Sequence, residues 1–209
     1  MLCARIVEVF LNVNYHLFNH PEDILIQLEM TLLNGPETPV NSSSFPAAVL
    51  IPLLHEEGNW KLLFTRRTER LSHHRGQVSF PGGSVETGES PRHAALRETC
   101  EEIGVQPDAV RILGRLPALE TNSRFTITPF IGHLHWPYPL QLNPIEVAKA
   151  FRVPLRWLAD PVNHKMAPYF HTPGQPAHWL PFFEPYEDEI IWGATGIMVK
   201  RLLALLDSH

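Results

Sequence analysis

Residues 83–105 read GSVETGESPRHAALRETCEEIGV. Ser90 suits a helix cap, Pro91 the first helical position and Gly104 the stop, so the spacing predicts a helix from about Ser90 to Gly104. At about 100° per residue, Glu101 and Glu102 fall within about 60° of Glu98. Leu96, Thr99, Cys100 and Ile103 point the other way and suit packing against a sheet. One face is core. The other carries three carboxylates, and Ala94 beside them is too small to cover them.

Like charges at helical spacing cost roughly 0.2–0.5 kcal/mol a pair. A hard divalent cation bound by the cluster explains why the cost is carried, because carboxylate oxygens suit magnesium, which keeps several waters and shares substrate phosphates. The bland alternative is a solvated acidic face. It accounts poorly for Gly83, Glu89 and Arg97 standing at fixed offsets from the cluster.

Outward from this helix, the chain reads as mixed α/β. Upstream, residues 46–54 and 59–67 are apolar runs split by a polar turn and predict paired strands. Downstream, 111–119 and 124–136 predict further strands, the second alternating Phe125, Ile127 and Pro129 against threonines. A short strand is expected at 151–153, ended by Pro154. Residues 161–183, rich in proline, histidine and aromatics, are expected to form a long surface loop. Residues 192–206 predict an apolar C-terminal helix. Residues 1–35 predict a helical extension whose helix spans 21–35, and 36–45 a linker. The main domain is then 46–209.

The chain has 209 residues, 44% of them hydrophobic, enough for a sizeable core. No window approaches a membrane span. The N-terminus is apolar but interrupted by Arg5, Glu8 and Asn12, and is not expected to be a signal peptide. It leaves open a homodimer built by exchange of this segment. Cys3 and Cys100 offer neither a disulfide framework nor zinc spacing, which fits the cytoplasm. A net charge of −5 disfavours nucleic acid as a partner.

The pattern running from Gly83 through Glu89, Arg97, Glu98, Glu101 and Glu102 to Gly104 resembles the Nudix box, G-x5-E-x7-R-E-U-x-E-E-x-G-U, with U a bulky aliphatic residue. Thr99 at the first U position is the one departure. The resemblance implies the Nudix fold, a mixed sheet between helices, and metal-dependent hydrolysis of a diphosphate linkage with Mg2+ or Mn2+. It implies that Glu98 and Glu102 are the principal metal ligands. Glu101 would be a further ligand or the base that takes the water's proton, with Glu146 a second candidate for that proton. The Gly82 carbonyl would complete the metal shell. Gly83, Glu89, Arg97 and Gly104 would be structural.

Residues 62–83, LLFTRRTERLSHHRGQVSFPGG, are similar to a signature of the coenzyme A diphosphatase subgroup. Thr65, Arg67, Leu71, His74, Gly76, Gln77, Val78, Phe80, Pro81, Gly82 and Gly83 match, and Ser72 stands where that signature has arginine. Two further stretches are similar to subgroup segments: 114–132, with Arg124 in place of glycine, and 189–203, which contains I-W-G-x-T. The likeness covers 46–206. It implies a coenzyme A diphosphatase yielding adenosine 3′,5′-bisphosphate and 4′-phosphopantetheine. Arg66, Arg67, Arg70, His73, His74 and Arg75 form a basic cluster suited to phosphates, and Arg67, Arg70, His74 and Arg75 are the expected substrate contacts. The alternatives are hydrolysis of ADP-ribose or a dinucleotide, and a Nudix-fold ligand sensor without turnover.

Overall fold

The computed structural model describes residues 21–32, 44–69, 75–170 and 177–207. Its centre is β1 (Phe45–Glu56), long enough to serve three partners. It pairs parallel with β7 (Phe125–Leu134) and antiparallel with β2 (Asn59–Arg67) and β4 (Gly82–Ser84). The sheet order is β3 (Val78–Ser79), β2, β1, β7, β5 (Val110–Arg115). β6 (Leu119–Glu120) pairs with β7, and β8 (Val147–Pro154) with β2.

Side-chain alternation along β1 builds the layers. Ala48, Leu50 and Leu54 face one way and join Ala94, Ala95, Leu96 and Ile103 of α2 (Pro91–Ile103). Val49, Ile51 and Leu53 face the other way and join α4 (Gly193–Leu206) through Met198, Val199, Leu202 and Leu203. A sheet apolar on both faces must be covered on both. The α/β sandwich expected from the sequence is what forms.

α1 (Pro21–Leu32) packs into the α4 side of this core. Ile24, Leu28 and Leu32, spaced by four, are buried there. Gln27 Nε2 donates to the Leu205 carbonyl at 3.0 Å, and Glu29 pairs with Arg111. The expected end of this helix at Gly35, and the linker after it, lie outside the described residues except for Ser44 and Phe45.

Several strand readings change. The stretch 161–183 is not a plain loop: it contains β9 (His164–Tyr169) paired antiparallel with β10 (His178–Phe183). A two-stranded ribbon needs no face apolar throughout, and Pro168 and Pro181 can keep their missing N–H on an unpaired edge, so periodicity does not reveal it. The expected strand 111–119 divides into β5 and β6 around Pro117, which has no N–H to offer a ladder. β8 runs for eight residues rather than three, and α3 (Leu155–Ala159) follows it directly. On β7 the threonines are the buried set, Thr126 and Thr128 lying on the α2 side with Phe130. Phe125 and Ile127 are half-exposed because they wall a cavity.

Candidate active site

The caps of α2 match the sequence reading. Ser90 accepts from the His93 N–H at 3.2 Å, and Pro91 opens the helix. Gly104, left-handed at φ 75°, donates its N–H to the Cys100 carbonyl at 2.9 Å. These ends fix the register in which Glu98, Glu101 and Glu102 leave the helix. Ala94, expected to flank the carboxylates, is instead fully buried in the core.

β4 lies between β1 and α2, and its glycines permit two close approaches. A Cβ on Gly83 would stand 2.4–2.6 Å from the atoms of the Glu98 carboxylate, so that carboxylate rests against bare backbone. A Cβ on Gly82, at φ 151°, would meet the Ala48 carbonyl oxygen at 2.4 Å and Val49 Cα at 2.6 Å. The Gly82 N–H donates to Glu102 Oε2 at 3.3 Å.

Arg97 is the hub of the loop. Its Nε and Nη2 donate to the two oxygens of Glu89 at 2.9 and 3.1 Å, and Nη2 also donates to the Ser84 carbonyl at 3.1 Å. Its Nη1 donates to Glu98 at 3.0 Å and Glu101 at 3.1 Å. Glu89 in turn accepts from the Glu86 N–H at 3.1 Å. The guanidinium holds the Glu89 carboxyl below the usual range, and Glu89 with Glu98 raises the basicity of Arg97.

The three box carboxylates occupy different environments. Glu101 is exposed, Glu98 is largely covered, and Glu102 is buried at 3% exposure. Burial raises the Glu98 carboxyl and pushes Glu102 up to about 8, against the opposing pull of Arg67 and the Gly82 N–H. Glu146, held by Asn143 Nδ2 at 3.1 Å, adds negative potential to both. Among the described residues no three such side chains close into a metal cage. The donor set nevertheless fits a magnesium-like ion: all its donors are oxygen, two carboxylates are costly to ionise without more positive charge, and such ions complete their shell with waters and phosphates.

Beside β4 opens a cavity of about 430 Å3. Gly82, Gly83 and Ser84 form one wall, and Arg67, Gln77, Phe80, Phe125 and Ile127 contribute another. Arg67 Nη1 also stands 3.7 Å from Glu102. Arg66, counted in the basic cluster, pairs with the buried Glu189 at 3.4 Å. Arg75 is exposed and does not line the cavity, and Arg70 and His74 lie outside the described residues. Tyr169 and Trp192 also line the cavity, and the sequence reading missed both. Trp192 sits within the quoted I-W-G stretch, which was a usable signal. Tyr169 sits in the segment that the sequence predicts to be a loop.

No helix of the described residues is long and apolar enough to cross a membrane. The model of the NUDIX domain matches residues 44–172. Nudix hydrolase 3 of Caenorhabditis elegans is 31% identical over 174 residues, covering 77% of this chain and 72% of that protein. The uncharacterized Nudix hydrolase NudL of Photorhabdus laumondii is 33% identical over 171 residues, covering 81% and 89%. The crystal structure of a C. elegans Ap4A hydrolase binary complex aligns with 53% of this chain and 80% of its own, at 23% identity and a TM-score of 0.47. With the box on its capped helix, the domain match and the two relatives establish that the chain belongs to the Nudix family and is a hydrolase of diphosphate linkages.

Proposed function

We propose that the protein hydrolyses the diphosphate linkage of coenzyme A or its derivatives, releasing adenosine 3′,5′-bisphosphate and 4′-phosphopantetheine or its acyl form. One observation carries the reading. The three stretches similar to the coenzyme A diphosphatase subgroup are far apart in sequence, yet each sends residues to the same cavity. Gln77 and Phe80 come from the first, Thr121 and Ser123 from the second, and Trp192 and Thr195 from the third.

Nudix hydrolases generally require divalent metal ions. In this reading Glu98 and Glu102 would hold Mg2+ or Mn2+, with the Gly82 carbonyl as a further donor and Glu101 as either a further donor or the base. Such an ion neutralises phosphate charge and lowers the pKa of bound water. The chain's own residues do the rest. Arg97 and Glu89 keep the glycine strand and helix in register. Arg67 offers its guanidinium to a phosphate. In this reading Glu101, the most exposed of the three, is the first choice to take the proton of the water where it does not serve as a metal donor. Arg70, His74 and Arg75, close to Arg67 in sequence, would add positive charge for the 3′-phosphate, Arg75 from outside the cavity lining.

The test is product analysis across a panel of diphosphates at saturating magnesium. Coenzyme A should exceed dephospho-coenzyme A in kcat/KM by roughly ten- to a hundredfold, the worth of one charge-assisted contact. ADP-ribose should be poorer still. Efficient cleavage of ADP-ribose or a dinucleotide, with none of coenzyme A, overturns the substrate. No turnover on any diphosphate would favour a ligand sensor.

A further inference from the structure

The aromatic wall of the cavity comes from the hairpin and the start of α4, and Trp192 lies beyond residues 44–172 of the domain match. Trp192 is pinned from behind. Phe182, which does not line the cavity, stacks on it with ring centres 5.4 Å apart and planes at 14°, and the backbones of the two residues form an antiparallel bridge. Tyr169, from the other hairpin strand, lies 5.5 Å from the same ring at 48° and shares the lining. No part of the carboxylate chemistry uses these rings.

We infer that Trp192, flanked by Tyr169, is the platform on which the nucleobase of the substrate stacks. The inference rests on reading this cavity as the nucleoside diphosphate site, and not on coenzyme A being the substrate. A rigid indole offers a flat surface at little ordering cost, and aromatic faces hold any base. The lip of the cavity supplies the edge contacts a heteroaromatic ring needs: the amides of Gln77 and Asn122 and the hydroxyls of Thr121 and Ser123. The glycine strand that backs Glu98 forms another wall. A base on Trp192 therefore shares its cavity with Arg67, which reaches Glu102 at 3.7 Å, and with the glycine strand against which Glu98 rests. A flexible aliphatic arm would gain less from stacked, immobile rings.

The experiment follows tryptophan emission of the full chain during titration with adenosine 5′-monophosphate, with 4′-phosphopantetheine as the competing probe. The nucleotide should quench emission, and Trp192→Phe should remove the quench. Trp192→Leu and Tyr169→Leu should raise KM about ten- to a hundredfold, with kcat changing much less. Equal quenching in Trp192→Phe overturns the platform, as does quenching by phosphopantetheine and not by the nucleotide. The wild-type titrations decide even if a leucine variant folds poorly. If coenzyme A is not cleaved but another adenine diphosphate is, with KM still dependent on Trp192, the substrate proposal falls and the platform stands. If coenzyme A is cleaved with KM indifferent to Trp192, the reverse holds.

Discussion

Arg67 Nη1 lies 3.7 Å from Oε1 of Glu102, and the same side chain lines the cavity. One guanidinium thus borders both the buried carboxylate and the cavity. Its Nε is buried with no hydrogen-bond partner among the described residues, so the fork has donor capacity beyond the ion pair. Replacing Arg67 with alanine should lower kcat/KM about ten- to a hundredfold, the loss of one charge-assisted phosphate contact. Lysine should restore only part, since it lacks the planar fork. Steady-state kinetics check this, with a thermal melt to confirm the fold. Unchanged kcat/KM in the alanine variant would remove Arg67 from the substrate contacts.

Glu102 predicts a stability that depends on pH and metal together. Its carboxyl is raised from 4.5 to about 8, first by burial. Below pH 4.5 folded and unfolded chains both hold the proton. Between 4.5 and about 8 only the folded chain does, so the metal-free protein loses stability as pH rises through that window and stays lower above it. Glu102→Gln escapes the loss. In chelator, its melting temperature should exceed wild type by more at pH 8 than at pH 5, and magnesium should close the gap by stabilising wild type alone. Turnover of the variant should fall about a hundredfold or more, as should that of Glu98→Gln. A gap that shrinks with rising pH would contradict the burial argument.

Leu28 tests the N-terminal helix. It is fully buried on the α4 side, whereas the box carboxylates leave α2 on the opposite side of the sheet. Leu28→Ala should cost about 2–5 kcal/mol in denaturant unfolding. Below its melting range, kcat/KM should stay within a few-fold of wild type. A large kinetic loss in a folded variant would tie this helix to the active site.

Legibility in the sequence tracked how local the cause was. The helix from Pro91 to Ile103 could be read because its caps, its core face and its carboxylates all lie within one short stretch. The three-layer sandwich followed from apolar runs on both sides of that helix. Packing partners were hidden. The spacing of Ile24, Leu28 and Leu32 announces a helix face, but nothing local says that the face meets α4. Burial of Glu102 was equally hidden, because it depends on β4 bringing glycines against the helix from outside it. The β9–β10 hairpin was lost to its prolines and its mixed exposure. With it went Tyr169, which has no function until the fold brings it within 5.5 Å of Trp192.

The adjacent glycines of β4 should fail in different ways when each is changed to alanine. At Gly82 the new Cβ would press on backbone, the Ala48 carbonyl and Val49 Cα, at a φ of 151° that alanine avoids. Backbone in a central strand cannot move aside cheaply, so Gly82→Ala should destabilise the fold by about 1–3 kcal/mol or more. At Gly83 the three atoms nearest the new Cβ all belong to the end of the Glu98 side chain, at 2.4–2.6 Å. That carboxylate can rotate away, so Gly83→Ala should melt near wild type. The rotation removes Glu98 from its place against the strand, and turnover should fall toward that of Glu98→Gln. Melting temperatures and kcat of the two variants, measured side by side, separate the effects. A Gly83→Ala protein with full activity would show that the contact between Glu98 and the strand is not needed for catalysis.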